Sequence, residues 1–426
     1  MNTKEYDILV IGGGIAGYYS SRYLAKAGKR VALVEKDKLG GVALRWGALP
    51  VKKALDFLKK NRYENLKDIW DKEIAKLENW IMKNIKSENI DIFFGEGEFI
   101  NSKTYRVGDN DLTGEYIIIA TGTEASGIDG ITTDKDRIIT HKEAVDFKSI
   151  PKDIIILGGN VEGVEFAAIY GEQGSNVTII EKESQLLVGN DADLVYPIEK
   201  HLIEKGVSII KGVGAKRAFI DGNKVKIELD NGKIIEGEKA LVTLSRKPNF
   251  PKGIERLNIN IEHDRILVDE NLKTGEDHIF AIGDINGIVG MAHAAINQGI
   301  GVAEYICNKT PVPKHYILPR AVFTLPEMAG VGKQEWELKN VSYKVCKYEF
   351  KDTWRGWSKG IEEGFVKVLV DEDGIVLGIW MVGEDVSEYI GFLSILGENK
   401  LTVSDIKSNL IIHPSLTEAL LEALMS

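Results

Sequence analysis

Cysteine is scarce in this 426-residue chain, which carries only Cys307 and Cys346. So few cysteines exclude the disulfide framework of a small secreted domain, and they fit a reducing cytoplasm. The seven histidines show no spacing typical of zinc ligands, so we expect no metal site. The sequence therefore argues against the disulfide-stapled and the metal-dependent classes of protein.

Long apolar runs and an excess of positive charge are also missing. No stretch of about 18 uncharged apolar residues occurs, so we expect no membrane insertion. The polar residues 1–7 lead directly into a predicted strand and give no secretory signal. A formal net charge of -10 argues against nucleic acid as a partner, because phosphate backbones recruit basic surfaces. These absences predict a soluble, cytoplasmic protein, and 426 residues are long enough for two to four domains.

The sequence does contain an internal repeat of strand, glycine-rich loop, helix and strand. One copy spans residues 7–35 with its loop at 12–17, and the other spans 153–181 with its loop at 158–163. In each copy a glutamate ends the second strand, 23 residues after the first glycine of the loop. Short buried strands that alternate with helices predict parallel sheets with right-handed crossovers.

In the first loop each glycine has a mechanical role. Gly12 permits the tight turn out of the strand, Gly14 lets the backbone approach a pyrophosphate, and Gly17 lets the helix pack against the sheet. The helix N-terminus offers unpaired N–H groups to phosphates, and Glu35 can accept hydrogen bonds from ribose hydroxyls. The pattern predicts a dinucleotide site, and the alternative is a glycine-rich turn that binds nothing.

The second loop is less regular. Asn160 stands at the place of the middle glycine, between Gly158 and Gly163, so its side chain is expected to crowd a pyrophosphate. Glu162 places a carboxylate where an apolar residue would be expected near a nicotinamide. Glu181 favours NAD over NADP, because a carboxylate repels a 2′-phosphate. Either this loop binds NAD, or it is a degenerate fold element that binds nothing.

Further motifs follow in a fixed order along the chain. Residues 117–123 contain Ala-Thr-Gly, 245–249 read Ser-Arg-Lys-Pro-Asn, and 279–284 end in Gly-Asp. The segments 291–294 and 319–332 come next. Together with the two loops, these segments resemble the class I pyridine nucleotide-disulfide oxidoreductases, the family of dihydrolipoamide dehydrogenase. The resemblance covers nearly the whole chain and implies FAD and NAD as cofactors.

The resemblance also implies an α/β fold with two Rossmann-like domains and a C-terminal α+β dimerisation domain. The FAD-binding domain is expected at 1–148 and again at 269–312, the NAD-binding domain at 149–268, and the dimerisation domain at 313–426. Within the last domain, the periodicity predicts an antiparallel sheet and then helices, with strands at 364–370 and 375–382 and helices at 386–396 and 416–425.

The family's site residues can be carried over position by position. The resemblance assigns to FAD binding Gly12, Gly14, Gly17, Glu35, Lys36, Gly41, Val42, Lys52, Gly97, Thr121, Gly122, Asp284, Met291, Ala292 and His293. It assigns to NAD binding Gly158, Asn160, Gly163, Glu181 and Ser245. It assigns to catalysis Lys52, Glu165, His413 and Glu418. It further implies NADH as electron donor and a homodimer in which the histidine reaches the partner subunit.

The reactive centre departs from the family. The family's segment of the form GGTCxxxxCxPSK is here the stretch 40–52, and both cysteine positions are alanine, Ala43 and Ala48. Thiol–disulfide exchange requires a sulfur atom, so turnover of lipoamide, glutathione or mercuric ion by the family's usual route is excluded. Trp46 lies between the two alanines. It either fills the volume of the missing sulfurs or presents an aromatic face to a planar acceptor.

Other site residues keep two interpretations each. Lys52 with Glu165 either places a cation near the flavin or is a solvated surface lysine. His413, oriented by Glu418, either serves another proton transfer or is structural, because no thiol remains to deprotonate. The stretch 354–357, Trp-Arg-Gly-Trp, indicates an interface or a surface loop.

The favoured hypothesis is an FAD-dependent NADH oxidoreductase of diaphorase type. It would pass electrons directly from FAD to a small-molecule or protein acceptor, without a disulfide relay. The competing hypothesis is a catalytically degenerate FAD-binding scaffold or subunit of a redox complex. Asn160, Glu162 and Ser245 motivate it, because all three depart from the family pattern in the NAD half.

Overall fold

The computed structural model of the chain contains two parallel α/β units and a C-terminal antiparallel sheet with helices. The predicted fold class is therefore confirmed. Among the described residues, no helix combines the length and hydropathy needed to span a bilayer. The structure describes residues 2–60, 66–146, 150–314, 318–397 and 400–425, without the side chains of 66–70 and 395–397.

The first α/β unit consists of β1 (Asn2–Ile11), α1 (Ile15–Lys26), β2 (Val31–Glu35), α2 (Gly41–Arg45), α3 (Ala48–Lys59), α4 (Leu66–Ser87), β3 (Asp91–Phe94), β4 (Gly97–Asn101), β5 (Thr104–Val107), β6 (Asn110–Ile119) and β7 (Thr123–Ser126). Strands β3, β2, β1 and β6 run parallel in that order, and β5 and β4 continue the sheet antiparallel. Strand β1 begins earlier than predicted because residues 2–6 pair with 110–114 of β6.

The second α/β unit repeats the parallel plan. It consists of β8 (Ile138–Ile139), α5 (His141–Ala144), β9 (Asp153–Leu157), α6 (Val161–Glu172), β10 (Asn176–Glu181), α7 (Ala192–Glu204), β11 (Ser208–Lys211), β12 (Ala215–Asp221), β13 (Lys224–Leu229), β14 (Ile234–Gly237), β15 (Lys239–Val242) and β16 (Ser245–Pro248). The parallel order is β11, β10, β9, β15, β8, and β12 to β14 form an antiparallel sheet. The domain boundary predicted at 148/149 lies outside the described residues. Strand β8 precedes it and already pairs with β15.

The chain then returns to the first unit. This part consists of β17 (Ile261–Glu262), β18 (Arg265–Ile266), β19 (Ile279–Ala281) and α8 (Ala292–Asn308). Strand β19 pairs parallel with the C-terminal half of β6, so a late segment completes the first sheet. A Cβ on Gly299 of α8 would lie 2.8 Å from the carbonyl of Ala16, so α8 packs closely against α1.

The C-terminal part is built on a five-stranded antiparallel sheet with the order β20, β21, β24, β23, β22. It consists of β20 (Arg320–Val322), β21 (Glu327–Gly332), β22 (Tyr343–Glu349), α9 (Trp354–Lys359), β23 (Phe365–Asp371), β24 (Val376–Gly383), α10 (Val386–Gly397), α11 (Val403–Ser408) and α12 (Glu418–Met425). The strands and helices predicted here are present. The stretch 354–357 is helical rather than a loop, because the Thr353 hydroxyl accepts the Gly356 N–H at 2.9 Å and starts α9.

One apolar core joins the three parts of the chain. Val51 and Leu55 of α3, Phe166 of α6 and Trp380 of β24 are all buried in the same cluster. Fully burying a large apolar side chain contributes about 1.5–3 kcal/mol, so contacts of this kind hold the units firmly together. The stretch that carries the two alanines is thereby anchored to both the second unit and the C-terminal sheet.

A cluster of ion pairs around a buried lysine also links the second unit to the C-terminal sheet. The ammonium of Lys367, on β23, lies 3.0 Å from Asp191, 2.8 Å from Asp193 and 2.5 Å from Glu335. The Lys367 side chain is only 1% exposed. Burial would lower its pKa, but hydrogen bonds to the three carboxylates outweigh burial and raise the pKa above its usual value. In this Lys367 cluster, a lysine supplies the positive charge that three closely spaced carboxylates require.

Candidate functional site

The first glycine loop has a backbone that only glycines allow. Gly12 has a φ of 106°, in the left-handed region, and a Cβ there would clash with the carbonyl of Ala120. A Cβ on Gly17 would overlap the carbonyl oxygen of Gly12, so α1 starts directly against the loop. Gly14 is the N-cap of α1, and within the described residues no side chain caps this helix end. The N–H groups in the first turn of α1 are therefore available to bind a ligand.

The loop opens onto a cavity of about 400 Å³, which we call the cofactor cavity. A Cβ at Gly14, Gly122 or Gly290 would meet no atom of the described chain closer than 3.9 Å, so these glycines form an open cradle. A glycine-lined cradle at a helix N-terminus fits the pyrophosphate of FAD. The residues assigned to FAD that line this cavity are Gly12, Gly14, Glu35, Lys36, Gly41, Val42, Thr121, Gly122, Asp284 and Ala292.

Backbone amides fix the Glu35 carboxylate at the end of β2. One oxygen accepts the N–H of Gly13 at 2.7 Å, and the other accepts the N–H of Asp37 at 2.9 Å. Each oxygen keeps a lone pair for a ribose hydroxyl. In the second unit Glu181 accepts the two corresponding backbone N–H groups at 2.6 and 2.9 Å. The two repeats therefore prepare their glutamates in the same way.

The turn at Asp284 is tied to the segment that follows β6. The Thr123 hydroxyl donates to Asp284 at 3.1 Å, and Thr123 accepts hydrogen bonds from Arg246. Asn249 donates to the carbonyl of Thr121 at 3.2 Å. The Thr121 hydroxyl is buried and has no hydrogen-bond partner among the described residues. A polar ligand in the cavity can supply the hydrogen-bond partner that this buried hydroxyl lacks.

Five residues assigned to FAD binding do not line the cofactor cavity. Gly17 is covered by the loop. Gly97 begins the β4–β5 hairpin, where a Cβ would collide with the neighbouring strand, so its role is in strand packing. Met291 and His293 flank the lining residue at the start of α8, and Lys52 bonds to a different group. In the NAD half, Ser245 pairs with β7 and does not line the cavity either.

Lys52 and Glu165 form an ion pair between α3 and α6. The Lys52 ammonium lies 2.9 and 2.8 Å from the two oxygens of Glu165, whose side chain is 4% exposed. The backbone N–H of Phe323 donates to the same carboxylate at 3.0 Å, and the Phe323 ring lies 4.6 Å from the ammonium. Lys52 is therefore a fixed, paired cation, and the solvated-lysine alternative is excluded.

The stretch with the two alanines forms part of the cavity wall. Ala43, Trp46 and Ala48 all line the cofactor cavity, so two methyl groups stand where the resemblance places sulfur atoms. Trp46 also packs against the core shared by α3 and α6. Its ring centre lies 5.3 Å from the Arg45 guanidinium and 5.2 Å from the Lys142 ammonium. Trp46 thus fills volume and also faces the cavity.

The side chain of Asn160, which we expect to crowd a pyrophosphate, forms hydrogen bonds with the protein itself. Its oxygen accepts the Gly163 N–H at 3.0 Å and its amide donates to the Thr243 carbonyl at 2.6 Å. Asn160 is therefore the N-cap of α6. In contrast to Gly14, it occupies an N–H group that a phosphate would otherwise use. Gly158 and Gly163 keep the same backbone contact as Gly12 and Gly17.

A buried histidine beside the cavity has no signal in the sequence. His141 is fully buried, and its Nδ1 lies 3.3 Å from Oε1 of Glu162. Neither ring nitrogen of His141 has a hydrogen-bond partner in the described part of the chain. Glu162 and Lys142 both line the cofactor cavity. The carboxylate of Glu162, which is unusual at this position of the loop, therefore lies close to a histidine of α5. No motif connects the two positions in the sequence.

His413 and Glu418 lie at an exposed surface of the C-terminal part. His413 Nδ1 is 2.6 Å from Glu418, whose other oxygen accepts the Ser415 N–H at 2.8 Å. Burial favours the neutral acid, but these hydrogen bonds outweigh it and hold the pKa of Glu418 below its usual value. The Trp354 ring packs edge-on against His413, and Trp354 and Ile412 are 71% and 80% exposed. An exposed apolar surface of this kind indicates an interaction site.

Two Rossmann-like units around a glycine-lined cavity define a dinucleotide-dependent oxidoreductase. The family model described as pyridine nucleotide-disulphide oxidoreductase matches residues 6–299, and the model of its dimerisation domain matches 318–424. The chain belongs to this family. The resemblance inferred from the motifs is confirmed, and with it FAD and NAD as the cofactors of the family and a dimerisation domain at the C-terminal end.

Individual relatives agree with this assignment. The chain is 29% identical to dihydrolipoyl dehydrogenase of Bacillus subtilis, over 99% of this chain and 98% of that protein. It is 31% identical to dihydrolipoyl dehydrogenase of Geobacillus stearothermophilus, over 98% and 95%. Among solved structures, the flavoprotein disulfide reductase RclA of Escherichia coli superposes with a TM-score of 0.91 at 26% identity, over 99% of both chains.

Proposed function

We propose that the chain is an FAD-dependent NADH oxidoreductase that passes electrons directly to a small-molecule or protein acceptor. The observation that carries this proposal is the combination of a preserved cofactor cavity with Ala43 and Ala48 at its wall. A relay through a redox disulfide needs two sulfur atoms there. The oxidising substrate must therefore take electrons from the cofactor itself.

The residues of the cavity divide the binding of FAD among them. The N-terminus of α1 and the amides near Gly14 hold the pyrophosphate, Glu35 holds the adenosine ribose, and Asp284 holds the ribityl chain. When bound, FAD supplies reversible two-electron chemistry. Lys52, fixed by Glu165, provides a positive charge that stabilises negative charge in the reduced enzyme.

An anaerobic titration with NADH tests the proposal directly. NADH is expected to bleach the flavin absorption band rapidly, and ferricyanide is expected to restore the band. NADPH should bleach it much more slowly, because the Glu181 carboxylate repels a 2′-phosphate. Absence of bleaching over minutes would reject the proposal and support the alternative of an FAD-binding scaffold. The self-capped loop at Asn160 is the structural feature that favours this alternative.

The Asn160 cap can be tested by substitution. Asn160→Gly frees the Gly163 N–H for the pyrophosphate, and one hydrogen bond to a charged group contributes about 1.5 kcal/mol. We expect ADP-ribose to bind about tenfold more tightly to this variant in calorimetry, with only a few tenths of a kcal/mol lost in stability. Asn160→Asp is the matched control. Its carboxylate can still accept the Gly163 N–H, although it cannot donate to the Thr243 carbonyl, and it adds negative charge. It should therefore weaken binding, and equal affinities in the two variants would contradict the explanation.

The proposed homodimer uses the exposed surface around His413. The wild-type chain is expected to scatter light as a dimer. Ile412→Glu places a charge in the apolar surface beside His413 and should shift the mass toward the monomer, because a buried unpaired charge is costly. Ile203→Glu, at an exposed apolar position on α7, is the control and should remain dimeric. If the wild-type chain is a monomer, His413 has no partner subunit whose active site it could reach.

A further inference from the structure

A second cleft of about 500 Å³ lies against the cofactor cavity. Lys38, Trp46 and Lys142 line both spaces, so Trp46 lies at their common border. Helix α4 forms the opposite wall of this cleft through Asp71, Ile74, Ala75 and Glu78. We call this space the acceptor cleft. The volume is within the range of pockets that hold flat small molecules. The cleft is therefore the space that adjoins the cofactor cavity on the side of the two alanines.

The two cations beside Trp46 differ in how firmly they are held. Arg45 is bonded to Glu78, and its side chain is only 12% exposed. Lys142 is 36% exposed, and among the described residues it pairs only loosely with a carboxylate, that of Glu124 at 3.7 Å. Lys142 can therefore leave the Trp46 ring and pair with a ligand, whereas Arg45 remains in place. Lys38, at the same wall, is exposed, but its ammonium lies 3.6 Å from Glu78 and is already paired with that carboxylate.

We propose that the acceptor cleft binds the oxidising substrate and that this substrate is a flat aromatic molecule with an anionic substituent. Its ring stacks on Trp46 in the place of the Lys142 ammonium, and its anionic group pairs with Lys142. This assignment rests on the proposed function, because an acceptor site is needed only if electrons leave without a disulfide. It identifies the indole of Trp46 as the group between acceptor and cofactor.

The choice of a ring with a negative charge follows from Lys142 and Trp46. The cleft is also lined by the carboxylates of Asp71, Glu78 and Asp146, so the anionic group has to lie beside Lys142. An aromatic wall gives a disulfide substrate no specific contact, and the cleft has no thiol that could react with a disulfide. An uncharged ring would stack on Trp46 but would leave the displaced lysine without compensation. A ring that carries an anion satisfies both the indole face and the cation.

Calorimetry with anthraquinone-2-sulfonate tests the site on FAD-loaded protein without NADH. We expect one molecule to bind per chain. Trp46→Leu keeps an apolar volume but removes the aromatic face, and it should weaken binding about tenfold. Lys142→Gln should weaken binding about threefold, as expected for a partly exposed ion pair. The uncharged 2-(hydroxymethyl)anthraquinone should bind wild type more weakly than the sulfonate, and Lys142→Gln should remove this difference.

Two matched controls separate the site from general effects. Trp80→Leu removes a half-exposed tryptophan of α4 that does not line the cleft, and Lys233→Gln removes an exposed lysine of the second unit. Both should bind like wild type. Circular dichroism and flavin absorbance report whether each variant is folded and loaded, and Trp46→Phe, which should bind with intermediate affinity, replaces Trp46→Leu if that variant does not fold.

Two outcomes overturn the inference: the sulfonate fails to bind, or the Trp46 and Trp80 variants bind it equally. Either result together with rapid bleaching by NADH would remove the acceptor site and leave the proposed oxidoreductase intact. Tight binding without bleaching would instead remove the oxidoreductase and leave a binding site for aromatic anions. The two hypotheses therefore fail separately.

Discussion

Replacing Lys367 by methionine is expected to lower the free energy of unfolding by about 3–5 kcal/mol at neutral pH. The substitution leaves three carboxylates in contact at the junction of the second unit and the C-terminal sheet, without the ammonium that neutralises them. Asp191 is the most buried of the three and cannot rehydrate in place. The loss should appear in the first urea unfolding transition monitored by circular dichroism.

Lys347 offers a control on the neighbouring strand. It is the direct cross-strand partner of Lys367 but is exposed, and its ammonium lies 3.9 Å from Asp193. Lys347→Met should change stability by less than about 1 kcal/mol. Asp191→Asn in the Lys367→Met background should recover part of the loss, because it removes the charge that cannot rehydrate. Equal stability of the two lysine variants would show that the Lys367 cluster contributes nothing specific.

The pH dependence of this effect has a definite sign. The folded-state pKa of Lys367 is raised above the unfolded value of 10.5, since hydrogen bonds to the carboxylates outweigh burial. The stabilisation by Lys367 is therefore fully present below pH 10.5 and is lost as the pH rises through the folded pKa. The difference between wild type and Lys367→Met should stay constant at neutral and mildly alkaline pH and shrink only in strong alkali.

Lipoamide and glutathione disulfide are expected to give no flavin-linked turnover, while ferricyanide is reduced normally. The stretch at the cavity wall carries Ala43 and Ala48, and loss of a catalytic nucleophile lowers kcat by a factor on the order of 10⁶ in other enzymes. The measurement is NADH oxidation with each acceptor under anaerobic conditions. Turnover of either disulfide at a rate near that of ferricyanide would contradict our assignment of the two alanines.

The two remaining cysteines provide the control for this result. Cys346 is buried in the C-terminal core, and Cys307 is partly buried on α8. Neither lines the cofactor cavity. The double variant Cys307→Ser, Cys346→Ser should therefore match wild type with every acceptor. A residual disulfide activity that disappears in this variant would assign it to a thiol outside the site.

Much of the fold could be predicted because its signals are local. The strand, loop and helix order of each repeat fixes the positions of Gly12 and Gly158 in left-handed backbone, and both have φ above 100°. The glutamates at the ends of the second strands follow from the same spacing. Only the family resemblance predicts the contact between Lys52 and Glu165, because nothing in their separation of 113 residues indicates it.

The remainder depends on side-chain choices between segments that are distant in sequence. Asn160 could have pointed toward a ligand, but the Thr243 carbonyl is 2.6 Å from its amide and holds it against the protein. The contact of His141 with Glu162 depends on how α5 packs beside α6. The sequence does not predict the Lys367 cluster, because a lysine within an apolar strand is normally expected at the surface. Such contacts carry no pattern that a single sequence reveals.

Strand β8 limits how this chain can be divided for experiments. A fragment designed to start at residue 149 would lack the outer member of the five-stranded parallel sheet, and the backbone of β15 would become a bare edge. Bare edges of this kind recruit other chains and aggregate. An expression fragment of the middle unit should therefore start before Ile138, or the unit should be studied only within the whole chain.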